Sequence, residues 1–399
     1  MILSKKGYAY NDLTLVPKVI SRVNSRSECD PYNKDGMLPI FTAPMASVVS
    51  DENYKVFEDN KITPIIPRNI SIENRILKMN SQVWVALSLR EFEDLFITNY
   101  KTRIEEIGHH YYICVDIANG HMKSLYDKCK RAKELARDSN YKLTIMTGNI
   151  ANPQTYDWIC FNAVYSNKEG YNESVIDYIR IGIGGGSGCI TTSNVSAHYP
   201  QASLIDECKK IKDYYNENYD RKMPAIVADG GIRNYDHVIK ALALGADYVM
   251  IGSLFAQCIE SAGIKYTGND NSRIKFTYNS YKCNSLKVNE KDEWVGECIY
   301  KWDDPDIDEE NNYIGKLNVK FFGMASSDGQ KSISGKKTKT SEGITKYLPV
   351  KYTLKGWTEN MISYLRSAMS YCDCFNLNEF IGKQELIPNS ISEIQAVNK

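Results

Sequence analysis

The sequence predicts a parallel α/β fold, a (β/α)8 TIM barrel. Three observations lead there. Short apolar runs recur along the chain, most of them are continuous rather than alternating, and helix-like stretches separate them. Continuous apolar runs mark parallel strands covered on both faces. Their alternation with helices marks βαβ units. Eight runs are the number that closes a barrel, and an open doubly wound sheet is the structural alternative.

In order, the runs are Leu38–Met45 (LPIFTAPM), Ile62–Arg68 (ITPIIPR), Val83–Ser88 (VWVALS) and Tyr112–Ala118 (YICVDIA). Leu143–Asn149 (LTIMTGN), Tyr178–Gly184 (YIRIGIG), Ala225–Gly231 (AIVADGG) and Tyr248–Ser253 (YVMIGS) follow. Turn residues or polar helical stretches bound each one. Glu91–Ile107, Met122–Arg137, Ala202–Tyr214 and Tyr235–Leu244 read as helices between them. Two stretches break the rhythm. Residues 264–320 are polar and acidic, with β-like pieces at Arg273–Tyr278 and Gly296–Trp302, and read as a small antiparallel insertion on the C-terminal face. Ser326–Gly343 is almost wholly polar and small, and reads as a mobile flap or a disordered loop. The expected organisation is one barrel domain over 1–399, an inserted subdomain at 264–320 and a flap at 324–345.

Composition narrows the function classes. The chain has 399 residues, 43% hydrophobic and 25% charged, which excludes wholesale disorder. Lys+Arg and Asp+Glu are 49 each, so the balance asks for neither nucleic acid nor an acidic membrane. No apolar run approaches the ~18 residues of a spanning helix, and the N-terminus shows no secretory h-region. Eleven cysteines without a paired C-x-x-C, and five histidines without a Cys/His cluster, argue against a disulfide scaffold and a structural zinc. The reading is a reducing, cytoplasmic compartment.

The strongest motif is GIGGGSGCITT, Gly182–Thr192, after the sixth run. Five glycines in seven residues permit close backbone approach to a ligand. Peptide N–H groups of such a loop cradle phosphate, and its carbonyls suit a monovalent cation. Cys189, beside Thr191 and Thr192, is a candidate covalent nucleophile. ADGGIR ends the seventh run. There Asp229 is suited to accept two ribose hydroxyls, or to cap the next helix, and Gly230 and Gly231 allow backbone contact with phosphate. IGS ends the eighth run with Gly252 and Ser253, where barrels commonly hold phosphate. Together these point to a ligand with a ribose and a phosphate. In VDIANGH, Asp116 is a charge at the end of an apolar run, which rarely stands without a partner. Asn119 and His121 face a ligand or cap the next helix. In the flap, Ser327 and Asp328 are either solvated or, for the carboxylate, a proton relay.

In order and spacing, these motifs resemble the IMP dehydrogenase/GMP reductase family. YNDLTLVPK (Tyr10–Lys18), SRVNSRSE (Ser21–Glu28), TAPM (Thr42–Met45), DIANGH, TGN, GIGGGSGCIT, ADGGIR, MIGSLFA, FFGM and LRSAMSYC (Leu365–Cys372) all take part. The resemblance implies a barrel assembled as a homotetramer. It implies that Cys189 attacks C2 of a purine nucleotide, GMP or IMP, with Thr191 helping to pass the proton. It implies that Ser187, Asp229, Gly230, Gly231, Gly252 and Ser253 hold the ribose phosphate, and that Met45, Gly323 and Met324 line the base. Asp116, Asn119 and Asn149 would face the nicotinamide cofactor. Carbonyls of Gly184, Gly186 and Cys189 would offer a K+ site.

Two family reactions compete. The dehydrogenases oxidise IMP with NAD, use a flap Arg–Tyr pair to activate water, and usually carry a CBS domain after the second strand. Here roughly fifteen residues separate the second and third runs, and Phe321–Leu365 contains no arginine. The reductases have a shorter flap ending near Ser-Glu-Gly, here Ser341–Glu342–Gly343, and reduce GMP with NADPH. The resemblance is therefore closer to GMP reductase, where strict spacing from Met324 puts Ser327 at the flap-acid position and a one-residue offset puts Asp328 there. An IMP dehydrogenase with an atypical flap and a catalytically weakened nucleotide-binding homologue are the alternatives. The ADGGIR-to-IGS segment also resembles FMN-dependent hydroxy-acid oxidases, which leaves the cysteine loop unexplained. Ala46, where an aspartate is usual, and Thr192, where a basic residue or glutamine is typical, depart from the family pattern.

Overall fold

The eight apolar runs form eight parallel strands in one sheet. They are β1 (Ile40–Thr42), β2 (Ile65–Ile66), β3 (Trp84–Leu87), β4 (His110–Asp116), β5 (Lys142–Ile150), β6 (Tyr178–Ile181), β7 (Ala225–Asp229) and β8 (Tyr248–Ile251). The structure is a computed structural model. It describes residues 6–103, 110–186, 188, 190–267, 282–284, 287–288, 294–295, 298–299, 317–335 and 343–390. The sheet order is β1-β8-β7-β6-β5-β4-β3-β2. It closes where Phe41 bridges Thr63 in parallel, with Thr42 N–H donating to the Thr63 carbonyl at 3.0 Å. The sheet is a (β/α)8 barrel, not an open one.

Helices pack the outside. They include α1 (Tyr54–Asp59), α2 (Ile72–Leu77), α3 (Leu89–Glu93), α4 (Lys123–Ser139), α5 (Pro153–Asn162), α6 (Gln201–Asn218), α7 (Tyr235–Leu244) and α8 (Leu354–Tyr371). The expected helix over Glu91–Ile107 is broken into short pieces, with a wide turn at Asp94–Thr98 and a further helix at Tyr100–Arg103. Buried Leu95, Phe96 and Tyr111 anchor that region from inside.

Inside the barrel, Phe41, Trp84, Tyr112, Tyr178 and Tyr248 meet edge-on and tilted, with the Trp84 and Tyr178 rings 5.0 Å apart. Tyr178 and Tyr248 open their strands, so these rings fill the N-terminal half of the interior. The open end is the C-terminal one, where the sequence motifs lie.

After β8 the chain forms a three-stranded antiparallel sheet of β9 (Lys265–Thr267), β10 (Leu317–Phe322) and β11 (Thr345–Pro349). Between β9 and β10, Lys282–Asn284 pairs with Cys298–Ile299, and Lys287–Val288 with Trp294–Val295. These antiparallel ladders agree with the expected β-rich insertion; the piece at Arg273–Tyr278 lies outside the described residues. The flap differs from expectation. Its described part holds a helix, Ser327–Ser334, not a bare loop. Ser326 caps that helix by accepting the Gly329 N–H at 3.1 Å, and Gly335 ends it at φ +71°. Composition hid the helix because it has almost no apolar face to give a period.

Candidate active site

The C-terminal ends of the strands frame a cavity of about 230 Å³. Met45 enters it from the loop after β1, Asp116 from the end of β4 and Asn149 from β5. Gly184 and Gly186 come from the glycine loop, Asp229, Gly230 and Gly231 from β7, and Gly252 and Ser253 from the end of β8. Gly323 and Met324 close it from the flap side. Twelve residues singled out from widely separated motifs therefore line one cavity. Ser187 and Cys189 lie outside the described residues. Their neighbour Gly188 lines the cavity, and its carbonyl accepts the Ile344 N–H at 2.9 Å, which ties the cysteine loop to the flap return.

Three expected residues do not join that lining. Asn119 accepts the His121 N–H on its Oδ1 at 3.0 Å and shapes its own loop. Thr191 opens a short helix, Thr191–Val195. The Asp328 carboxylate faces the flap sheet, where Oδ2 accepts from Thr345 Oγ1 at 2.6 Å and pairs with Lys320 Nζ at 3.1 Å.

Arg180 organises the charges of the cavity. It projects from β6 into the barrel, 7% exposed. Its Nη1 donates to Asp116 Oδ1 at 2.8 Å, and its Nε and Nη2 donate to Asp229 Oδ2 at 3.1 and 2.8 Å. Arg68, just after β2, donates from Nε to Asp116 Oδ2 at 3.2 Å. Asn149 Nδ2 donates to Asp229 Oδ2 at 2.7 Å and to the Gly182 carbonyl at 2.8 Å. Burial alone would raise the Asp116 carboxyl; Arg180 and Arg68 overcome it and hold Asp116 below the ordinary carboxylate value. Burial likewise opposes the Arg180 charge, and Asp229 and Asp116 more than restore it. Asp229 Oδ1 and Asn149 Oδ1 accept no hydrogen bond from any described residue, so each is an acceptor held ready beside the cavity.

The backbone makes room for this network. Gly148 has φ +143°, and a Cβ there would lie 2.5 Å from the Arg180 carbonyl oxygen and 2.7 Å from the Arg180 Cβ. Gly182 has φ +123°, and its Cβ would lie 2.3 Å from the Asp229 carbonyl oxygen. The ADGGIR turn is held from behind by His237, 3% exposed. Its Nε2 lies 2.6 Å from Asn11 Oδ1, and its Nδ1 lies 2.9 Å from the Gly231 carbonyl oxygen and 3.2 Å from the Arg233 nitrogen. Burial lowers its pKa.

Comparison with known proteins decides the family. The model for the IMP dehydrogenase / GMP reductase domain matches residues 97–295. A GMP reductase of Staphylococcus epidermidis is 31% identical over 272 residues, covering 65% of this chain and 74% of the relative. The chain belongs to the IMP dehydrogenase/GMP reductase family. A GMP reductase of Caenorhabditis elegans is 25% identical over 365 residues, covering 88% of this chain and 80% of that protein. One from Onchocerca volvulus is 25% identical over 390 residues, covering 93% and 87%.

Within this family frame, one departure has a visible packing consequence. Thr192 lies against the glycine loop, and a Cβ on Gly184 would fall 1.8 Å from its Oγ1. Two residues of the site escaped the sequence reading, Arg180 and Arg68. The signal for Arg180 was present: it is a cation inside the apolar run YIRIGIG, as anomalous there as Asp116 is in its own run. Arg68 closes a run that reads simply as the end of a strand. Among the described residues, no helix is long and apolar enough to cross a membrane.

Proposed function

We propose that this family member is an NADPH-dependent GMP reductase that converts GMP to IMP and ammonium through a covalent adduct on Cys189. The observation that carries this choice is the flap. It carries a carboxylate, Asp328, at the start of its helix, held by Thr345 and Lys320 on the flap sheet, and Phe321–Leu365 contains no guanidinium with which to activate water. The names borne by the relatives agree with it.

In this reading Asp229 Oδ1 accepts a ribose hydroxyl. Backbone N–H groups around Ser187, Gly230, Gly231, Gly252 and Ser253 take the phosphate, and Met45, Gly323 and Met324 pack the purine. The Cys189 thiolate adds to C2, the C2–N bond breaks, and the amine leaves as ammonia with a proton passed by Thr191 and the flap. NADPH, when bound, supplies a hydride to C2. The C2–S bond then breaks and the thiolate returns. One hydride and two protons are consumed per IMP and ammonium formed.

The chain's own groups fit the nicotinamide. Asp116 is buried and oriented by two guanidiniums, and Asn149 keeps Oδ1 as an acceptor suited to a carboxamide N–H. Asn119 would act by shaping the β4 loop. The acid role of Asp328 requires its carboxylate to leave Thr345 and Lys320 and turn toward the cavity. Backbone carbonyls of Gly184, Gly186 and Cys189 would supply the hard-oxygen donors that a K+ ion takes. A homotetramer in the cytoplasm completes the reading.

The test is stoichiometry. GMP-dependent NADPH consumption should release one ammonium per NADPH. Cys189→Ser should abolish both while GMP binding stays measurable by calorimetry. Near-normal turnover in that variant would end the covalent mechanism.

A further inference from the structure

The two halves of the cavity are joined by one side chain. Arg180 gives Nη1 to Asp116 and Nε with Nη2 to Asp229, so a single planar guanidinium spans the two carboxylates. The spanning atoms are 2.8 to 3.1 Å from their acceptors, and all three side chains are at most 15% exposed. Gly148 is required for the Arg180 backbone to sit where it does. Each carboxylate has a second, independent support on its far side: Arg68 for Asp116 and Asn149 for Asp229. Asp229 is therefore fixed through Oδ2 alone, which leaves Oδ1 for a ligand.

We infer that Arg180 is a positioning residue that couples nucleotide binding to nicotinamide cofactor binding. The inference rests on the reading above, in which Asp229 takes the ribose and Asp116 faces the cofactor. A ligand hydroxyl that donates to Asp229 Oδ1 restrains that carboxylate, and with it the guanidinium gripping Oδ2. The same guanidinium then holds Asp116 in a narrower range of positions before the cofactor arrives. Restraint paid for by the first ligand is not paid again by the second, so the coupling is positive and reciprocal. A lysine at 180 is a point donor on a flexible stem. It serves one carboxylate well and lacks the fork that reaches both at once.

The experiment is calorimetry on the full chain with a pair that cannot turn over, GMP and NADP+. The Kd for GMP is measured alone and with saturating NADP+, and the Kd for NADP+ is measured alone and with saturating GMP. Wild type should show the same tightening in both directions, about fivefold or more, the lower end of ordinary coupling. Arg180→Lys should still bind each ligand alone and bring the coupling factor to about one, a split that general loss of structure does not produce. Arg68→Met removes a one-sided support of Asp116. It should weaken NADP+ binding and leave the coupling factor in place, and the wild-type coupling factor keeps the inference open to refutation if Arg180→Lys does not fold.

An unchanged coupling factor in Arg180→Lys, or a factor of one in wild type that binds both ligands, overturns the inference and leaves the proposed function standing. Loss of coupling in Arg68→Met equal to that in Arg180→Lys also overturns it, because the effect then belongs to the whole cluster. Wild type that binds neither GMP nor IMP overturns the functional reading itself, and the inference with it.

Discussion

Replacing Arg180 with methionine keeps an unbranched apolar stem and removes the guanidinium and its charge. Asp116 is left with Arg68, and Asp229 with Asn149. Removing one partner of a buried ion pair costs about 3–5 kcal/mol, because the remaining charges stay buried without compensation. Unfolding entropy is about 2.1 cal/mol/K per residue, or about 0.8 kcal/mol/K for the whole chain, so about 4 kcal/mol lowers Tm by about 5 °C. The pH dependence identifies the cause. Burial raises the Asp116 carboxyl, and Arg180 with Arg68 brings it below its ordinary value; its contribution is present above the unfolded carboxylate pKa of about 3.9 and is lost as pH falls through the folded one. Without Arg180 the burial cost is less opposed and the carboxyl rises. The variant then takes up a proton on acidification and recovers. Paired thermal melts at pH 7 and pH 4.5 should show the full deficit at the first and a smaller one at the second. A deficit below about 1 kcal/mol at pH 7, or one equal at both pH values, would refute the claim that Arg180 compensates buried carboxylates.

Further outcomes follow from the loops and the flap. Gly182→Ala places a methyl 2.3 Å from the Asp229 carbonyl oxygen at φ +123°, so GMP affinity should fall at least tenfold, or folded protein should be lost; unchanged binding would contradict the packing. Asp328→Asn should slow GMP-dependent NADPH oxidation by about a hundredfold, the low end of a lost general acid. Ser327→Ala should have much less effect, and Lys320→Met, which leaves the carboxylate in place, should cost less than about threefold. Equal losses in Asp328→Asn and Lys320→Met would make Asp328 a clamp of the flap and not an acid.

How much of this was legible depends on what the signal rests on. Strands buried on both faces leave continuous apolar runs, so all eight could be located, with ends up to three residues past the strand in most runs and one or two residues short of it at β4 and β5. Glycines at positive φ mark places where no Cβ fits, and Gly182 and Gly184 could be read as site residues for that reason. The flap helix was not legible, since a short, capped, polar helix has no hydrophobic period. Arg180 was missed because a pairing across the barrel joins positions 64 and 49 residues apart, and periodicity reports only near neighbours. Asp116 was noticed by the same rule that should have flagged Arg180, a charge inside an apolar run. Asn119 read as a ligand contact or a helix cap, and its Oδ1 accepts the His121 N–H within its own turn.

The most direct test of the proposed function is a paired assay on purified protein with potassium present. One arm supplies GMP with NADPH, the other IMP with NAD, and nicotinamide absorbance follows both. The account predicts GMP-dependent loss of NADPH and no IMP-dependent gain of NADH. IMP-dependent NADH formation, with the GMP arm silent, would contradict it.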